Sequence, residues 1–285
     1  MNLLDGRVAV VTGAASGIGR ALAERLASER MSVVAADVEA DTLAETAAAV
    51  RELGGPVEAV VTAVSDPAAV DALAEAAYDR FGVVHVLCNN AGVFQGGVTW
   101  QRTLADWQWV MGVNFWGILH GIRAFVPRML AQVEDGRLDE GHVVNTASLA
   151  GLLTVGYSAP YTVSKFAAVA LTESLAHDLD ALGVPIGVSC LVPGLVDTRI
   201  ADSTRNRPDE PPGEAQAPDS HFVQQALRNA TSTGGRPPAD VAGLVVDALR
   251  AGRFWIPTSD SYETLLRVRL DAMLALEAAS ASEIS

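Results

Sequence analysis

The strongest constraint on the fold is a regular alternation through the first two hundred residues. Short apolar, β-branched runs exchange with longer stretches of helical periodicity. RVAVV (7–11) precedes a helical stretch at 17–30, and MSVVAA (31–36) precedes another at 40–53. PVEAVVT (56–62) leads to a helix after Asp66-Pro67, and HVLCN (85–89) leads to a long helical region at roughly 103–131. HVVNTAS (142–148) is followed by a helix at 159–182, and then by IGVSCLV (186–192). Strands this short, apolar on both faces and separated by helices, belong to a parallel sheet covered on both sides. Right-handed crossovers make that an α/β doubly wound parallel sheet with helices on both faces.

The alternation stops after Thr198. Residues 201–219 (ADSTRNRPDEPPGEAQAPD) are rich in Pro, Asp, Glu and Ala and nearly devoid of large apolar side chains. Such a stretch reads as a loop, and the segment 198–235 is expected to be a mobile substrate lid. Helical periodicity returns at 221–230 and 238–251, FWIP (254–257) gives a last short strand, and 261–285 is a helical tail with a frayed end. About seven strands result, in a single domain spanning 1–260.

Composition removes several function classes. A net charge of −14 over 285 residues repels nucleic acid and anionic lipid. Cys88 and Cys190 end apolar runs, so two thiols in a long chain form no disulfide framework, and no Cys/His cluster has metal-ligand spacing. The chain opens directly into a strand without a signal peptide, and no apolar run is long enough to span a membrane. A cytoplasmic, reduced protein is expected.

VVTGAASGIGRAL joins the first strand to the first helix. Glycine supplies backbone angles that side chains forbid and lets the chain approach a pyrophosphate at the helix N-terminus. A glycine pattern alone is weak, but this one follows a strand and opens a helix. Asp37 ends the second strand, 20 residues after Gly17. An acid there accepts hydrogen bonds from an adenosine ribose and repels a 2′-phosphate, which points to NAD rather than NADP.

Tyr161 and Lys165 lie at i and i+4 on one helix, so their side chains share a face. An ammonium within ~4–6 Å of a phenol lowers its pKa and makes it a usable base. Ser148 closes the fifth strand, at the edge where such sheets bind ligands. On its own it reads equally well as a helix-capping serine. Asn114 sits inside a helical run, where Asn has poor propensity.

Together, Thr12-Gly13, Gly17-Ile18-Gly19, Asn89-Asn90-Ala91-Gly92, Asn114, Ser148, Tyr161, Lys165 and Pro193-Gly194 resemble the short-chain dehydrogenase/reductase family. The resemblance covers roughly residues 5–200 in order, with the glycine spacing of its shorter, oxidoreductase branch. It implies a Rossmann fold and an NAD cofactor. It also implies a catalytic set of Asn114, Ser148, Tyr161 and Lys165, with the Asn distorting its helix and holding a proton-relay water. The cofactor set it implies is Gly13, Ser16, Gly17, Ile18, Gly19, Asp37, Val64, Asn90, Ala91, Gly92, Tyr161, Lys165, Pro193, Gly194, Val196 and Thr198. Val196 N–H and the Thr198 hydroxyl resemble the groups that hold the carboxamide. Family tetramers make a homo-oligomer the expectation, through the helices at 103–131 and 159–182.

The expected activity is hydride transfer between nicotinamide and a small-molecule secondary alcohol or ketone. Competing readings are an NADPH-dependent ketoacyl-carrier-protein reductase, which Asp37 and the acidic surface oppose, and a dinucleotide sensor without catalysis. Leu149, Leu152, Leu153, Val155 and Tyr157 are expected to wall the substrate site, favouring a hydrophobic or alicyclic alcohol. The tryptophans Trp100, Trp107, Trp109 and Trp116 read as core or interface anchors, with one or two at the pocket.

One position departs from the family pattern. VVTAVSDP has Ala63 where an acid usually bonds the adenine amino group. Ala63→Asp is therefore expected to lower the NADH dissociation constant in a fluorescence titration; an unchanged constant would contradict this.

Overall fold

A computed structural model describes residues 4–208, 218–259 and 261–276. The described residues contain one seven-stranded, wholly parallel sheet in the order β3-β2-β1-β4-β5-β6-β7. The strands are β1 (Val8–Thr12), β2 (Ser32–Asp37), β3 (Val57–Val61), β4 (Val86–Asn89), β5 (Gly141–Thr146), β6 (Ile186–Val192) and β7 (Trp255–Pro257). The helices are α1 (Gly17–Ser28), α2 (Ala40–Glu52), α3 (Pro67–Phe81), α4 (Leu104–Met111), α5 (Gly117–Glu134), α6 (Ala159–Leu182), α7 (Pro218–Gly234), α8 (Pro238–Ala251) and α9 (Tyr262–Leu274).

The two-residue period of a strand sends neighbouring side chains to opposite faces. Ala9 and Val11 pack with Val33, Ala35 and Leu191 against α1, α2 and α8. Val10 packs with Val34, Leu87 and Val143 on the other face, against α3, α5 and α6. The edge strand β3 departs from the two-faced expectation, because Ala59 and Val61 on one of its faces are exposed. Both cysteines are free and buried, Cys88 in β4 and Cys190 in β6.

The helical region expected at 103–131 is not one helix. Thr103 and Asp106 form a reciprocal cap that starts α4. A π-helical turn at Gly112–Trp116 then separates α4 from α5. The turn carries Asn114, the residue whose helix propensity was poor, as is common where π-turns serve a site. The segment after Thr198 also differs from a simple loop: a 3₁₀ helix spans Arg199–Asn206, and α7 begins at Pro218. The remainder of the Pro-rich stretch, 209–217, and the end of the tail, 277–285, lie outside the described residues.

The chain moves outward from β1 to β2 and β3, then returns to place β4 on the other side of β1. The crevice between the carboxyl ends of β1 and β4 is thus the switch point where such sheets bind ligands. α5 crosses β4 closely there, since a Cβ on Gly121 would sit 2.1 Å from Asn89 Oδ1. Asn89 cannot swing away freely, because its Nδ2 donates to Asn145 Oδ1 at 2.9 Å. Gly121→Ala is therefore expected to destabilise the fold by about 1–3 kcal/mol in urea unfolding.

Candidate active site

The turn after β1 is built on contacts that only glycine allows. Gly13 (φ +69°) and Gly17 (φ +53°) are left-handed. A Cβ on Gly13 would lie 2.8 Å from Ala91 Cα, and one on Gly19 2.0 Å from the Gly13 carbonyl oxygen. Asn90 locks the neighbouring strand end: its N–H donates to Thr12 Oγ1 at 2.9 Å and its Nδ2 to the Thr12 carbonyl at 3.0 Å. Thr146 Oγ1 donates to Asn90 Oδ1 at 3.3 Å, which brings in β5. Gly13, Ser16, Gly17, Ile18 and Gly19 form a cavity-lining cradle that fits a dinucleotide pyrophosphate.

Asp37 adjoins this cradle. Its Oδ2 accepts the Ala15 N–H at 2.9 Å and its Oδ1 accepts the Glu39 N–H at 3.1 Å. A carboxylate offers about four acceptor sites, so capacity remains for ribose hydroxyls. On the far side, Thr198 caps the 3₁₀ helix through the Ile200 N–H. Val196 bridges to Arg236 through the Leu195 carbonyl and the Asp197 N–H. Gly194 N–H is held by Thr258 Oγ1 at 3.0 Å.

One continuous cavity of about 490 Å³ joins these parts. Gly13, Ser16, Gly17, Ile18, Gly19, Asp37, Val64, Asn90, Ala91 and Gly92 line it, as do Ser148, Tyr161, Lys165, Pro193, Gly194, Val196 and Thr198. Every cofactor residue named from the sequence is therefore brought to one site. Ala63 is exposed between Thr62 and Val64, which do line the cavity, and the Val64 carbonyl is already bonded to the His120 ring at 2.9 Å.

Asn114 is the exception among the catalytic candidates: it lies one layer behind the wall. It is fully buried, its Oδ1 accepts the Val93 N–H at 2.8 Å, and its Nδ2 donates to the Val93 carbonyl and to Ser164 Oγ, each at 2.9 Å. A Cβ on Gly92 would lie 3.5 Å from both Asn114 Oδ1 and Lys165 Nζ.

Ser148 unites both readings of it, since its Oγ caps a short 3₁₀ turn through the Ala150 N–H at 3.1 Å and also faces the cavity. Lys165 is buried; its Nζ donates to the Thr146 carbonyl at 2.9 Å and lies 5.7 Å from the Tyr161 ring centroid. Burial lowers the Lys165 ammonium to about 8, with a small opposing effect from Cys190. For Tyr161 the expected lowering is not what the protein groups produce. Burial raises the phenol above its ordinary value, and a hydrogen bond with Ser148 offsets part of that rise. Phe94 packs edge-on against the Tyr161 ring at 5.2 Å and contributes to this desolvation.

The substrate wall differs from the sequence expectation. Leu149 and Val155 line the cavity, but Leu153 is core and Leu152 packs against the same cluster. Tyr157 is 59 % exposed with a left-handed backbone (φ +59°), and its carbonyl accepts the Gly97 N–H at 2.7 Å. It anchors the loop after β4 instead of facing substrate. The wall is completed by Phe94, Trp109, Val113, Leu195 and Ile200, and by Val223, Ala226, Leu227 and Ala230 on one face of α7. The i, i+3, i+4, i+7 spacing of that last set was a visible signal, but it does not say what the face covers. Of the other tryptophans, Trp100 is 85 % and Trp116 48 % exposed.

α7 is pinned at its start. Arg102 donates to both carboxylate oxygens of Asp219 at 3.0–3.1 Å, and Asp219 also accepts the Val98 N–H at 2.7 Å. Ser220 donates to the Gly96 carbonyl at 2.6 Å. These bonds fix α7 to the loop that follows β4.

Comparison with known proteins agrees with this geometry. A family model described as short chain dehydrogenase matches residues 7–209. The 1-deoxy-11-beta-hydroxypentalenate dehydrogenase of Streptomyces exfoliatus is 38% identical over 270 residues, covering 94% of this chain and 88% of that protein. The CLA biosynthesis dehydrogenase/reductase of Lactiplantibacillus plantarum is 30% identical over 267 residues, covering 93% and 92%. A crystal structure of a short chain dehydrogenase/reductase from Burkholderia phymatum, in complex with NAD, superposes with a TM-score of 0.93 at 43% identity, covering 98% of each chain.

The cavity lining sets one test. Leu227→Ala is expected to raise KM for an apolar alcohol about fivefold, the loss of roughly 1 kcal/mol of apolar contact. Tyr157→Phe is expected to leave KM within about twofold in the same steady-state assay.

Proposed function

Since the chain belongs to the short-chain dehydrogenase family, we propose that it is an NAD-preferring oxidoreductase of apolar secondary alcohols and their ketones. The observation that carries this is a single cavity running from Asp37 past Ser148, Tyr161 and Lys165 to the apolar face of α7. The glycine cradle and Asp37 would hold pyrophosphate and adenosine ribose; Pro193, Gly194, Val196 and Thr198 would hold the carboxamide end. Nicotinamide, when bound, supplies the carbon that takes or gives the hydride.

The remaining work falls to this chain's own side chains. Tyr161 takes the hydroxyl proton in oxidation and returns it to the substrate oxygen in reduction. Ser148 Oγ accepts the Ala150 N–H, lies 3.5 Å from the Pro193 carbonyl and shares a hydrogen bond with Tyr161. Its hydroxyl would turn from these partners toward the substrate oxygen and share the charge that develops there. Lys165 has three donors and gives one to Thr146, which leaves two for a ribose hydroxyl and the phenolate side of Tyr161. Asn114 acts through Val93, fixing the backbone beside Gly92, and the proton relay behind Lys165 belongs to the same proposal.

The apolar substrate reading is supported by Phe94, Val155, Val223 and Leu227, which enclose the hydroxyl site without a charged partner among them. The NAD preference is supported by Asp37 and by the NAD-bound neighbour. Among the described residues, no helix is long and apolar enough to cross a membrane. A homo-oligomer through α5 and α6 is part of the reading, supported by exposed Trp116 and Val163 beside and on these helices.

Tyr161→Phe should reduce kcat by about a thousandfold or more, consistent with the ~10²–10⁴ contribution of a positioned acid/base. NADH binding by fluorescence titration should stay within about threefold. A variant retaining most of its turnover would remove Tyr161 from the chemistry.

A further inference from the structure

The segment after β6 contacts the turn after β2, although β1, β4 and β5 lie between those strands. With neighbouring strands about 4.8 Å apart, the chain must travel roughly 19 Å back across the carboxyl edge to do this. It passes over the crevice on the way. Thr198, at its start, meets the glycine cradle: a Cβ on Gly17 would lie 2.9 Å from Thr198 Cγ2. Ser203 then accepts the Phe94 N–H at 3.1 Å. At the far end Arg205 and Asn206 reach Glu39. Residues 198–206 thus form a strap over the cavity, and Glu39, Arg205 and Asn206 line that cavity beside Asp37.

The anchor is concentrated on one atom. Glu39 Oε1 accepts from Arg205 Nε at 2.9 Å, Arg205 Nη2 at 2.7 Å and Asn206 Nδ2 at 2.8 Å. Arg205 Nη1 also donates to the Arg199 and Asp202 carbonyls, so one guanidinium ties the strap's own turn to the β2 side. Glu39 occupies the N-cap position of α2, yet its side chain makes no cap bond. Its N–H is held instead by Asp37. Burial would raise the Glu39 carboxyl, but bonds from Asn206 and Arg205 and the charges of Arg205 and Arg199 outweigh it and hold the group ionised.

We propose that Glu39 is a positioning residue for dinucleotide choice: by engaging Arg205 it closes the strap beside the adenosine ribose and denies that arginine to a 2′-phosphate. Asp37 disfavours the phosphate directly, while Glu39 disfavours it by neutralising Arg205, a cation that lines the cavity with Asp37. The inference rests on the NAD reading above and extends it to a residue contributed by the strap. Charge pairs at the mouth of a cleft are worth enough to shift affinity severalfold.

The test titrates NADH and NADPH, by fluorescence, into wild type, Glu39→Gln and Arg205→Ala. It reads the ratio of the NADPH to the NADH dissociation constant. In Glu39→Gln the ratio should fall about tenfold, because Arg205 is released toward the phosphate. In Arg205→Ala it should rise about threefold or more, because the Glu39 charge is left facing the ribose. A ratio unchanged within about twofold in Glu39→Gln, or falling alike in both variants, would overturn the proposal. A wild-type ratio near one would instead contradict the NAD preference itself, and the opposed shifts of the two variants would still report on the pair.

Discussion

The site depends on a small knot of hydrogen bonds at the carboxyl ends of the central strands. Thr12 Oγ1 accepts the N–H groups of Asn90 and Ala91, while Asn90 Nδ2 returns a bond to the Thr12 carbonyl and its Oδ1 receives Thr146. β1, β4 and β5 are tied together where their ladders end. The glycine turn can then lie against Ala91 and Asn90 with no room for a Cβ. Thr146, held in the same knot, offers its carbonyl to Lys165. The glycine turn and Lys165 are thus positioned by one network, and a shift in any of the three strands would reach both.

Burial acts on Lys165 and Tyr161 in opposite senses. It pushes the Lys165 ammonium down and the Tyr161 phenol up, which drives both toward their neutral forms. Burial lowers the Lys165 ammonium to about 8, while its Nζ keeps a hydrogen bond to the Thr146 carbonyl. In the proposed reaction Tyr161 would act as a base only as positive charge gathers beside it and Ser148 donates to its oxygen. A phenol held protonated in this way is ready to donate in reduction. In oxidation it needs the cationic site around it.

The fold was legible because its signal is local and repeated. Strand and helix periods alternate on a scale of a few residues, and α6 falls on Ala159–Leu182 as its pattern indicates. The glycine turn, Asp37 and the Tyr161–Lys165 pair were legible for the same reason: their geometry follows from spacing within one element or one turn. The rest was hidden by sequence separation. Arg205 lies 166 residues from Glu39, and Arg102 lies 117 from Asp219, so no periodicity announces either pair. Val223 and Leu227 looked like any amphipathic helix face. Tyr157 was misplaced because a left-handed backbone turns its side chain to solvent, and aromatic residues seldom adopt that conformation.

The central claim is that Tyr161 exchanges the substrate proton with its acidity tuned by Lys165. Oxidation needs the phenolate, so kcat/KM for an apolar secondary alcohol should rise with pH through a single midpoint. Reduction of the matching ketone needs the phenol and should fall through the same region. The most direct measurement is this pair of profiles in wild type and in Lys165→Met. Removing the ammonium should move the oxidation midpoint to higher pH, because burial then acts on Tyr161 without its nearest cation. A midpoint that stays in place, or an oxidation rate that falls as pH rises through it, would contradict the account.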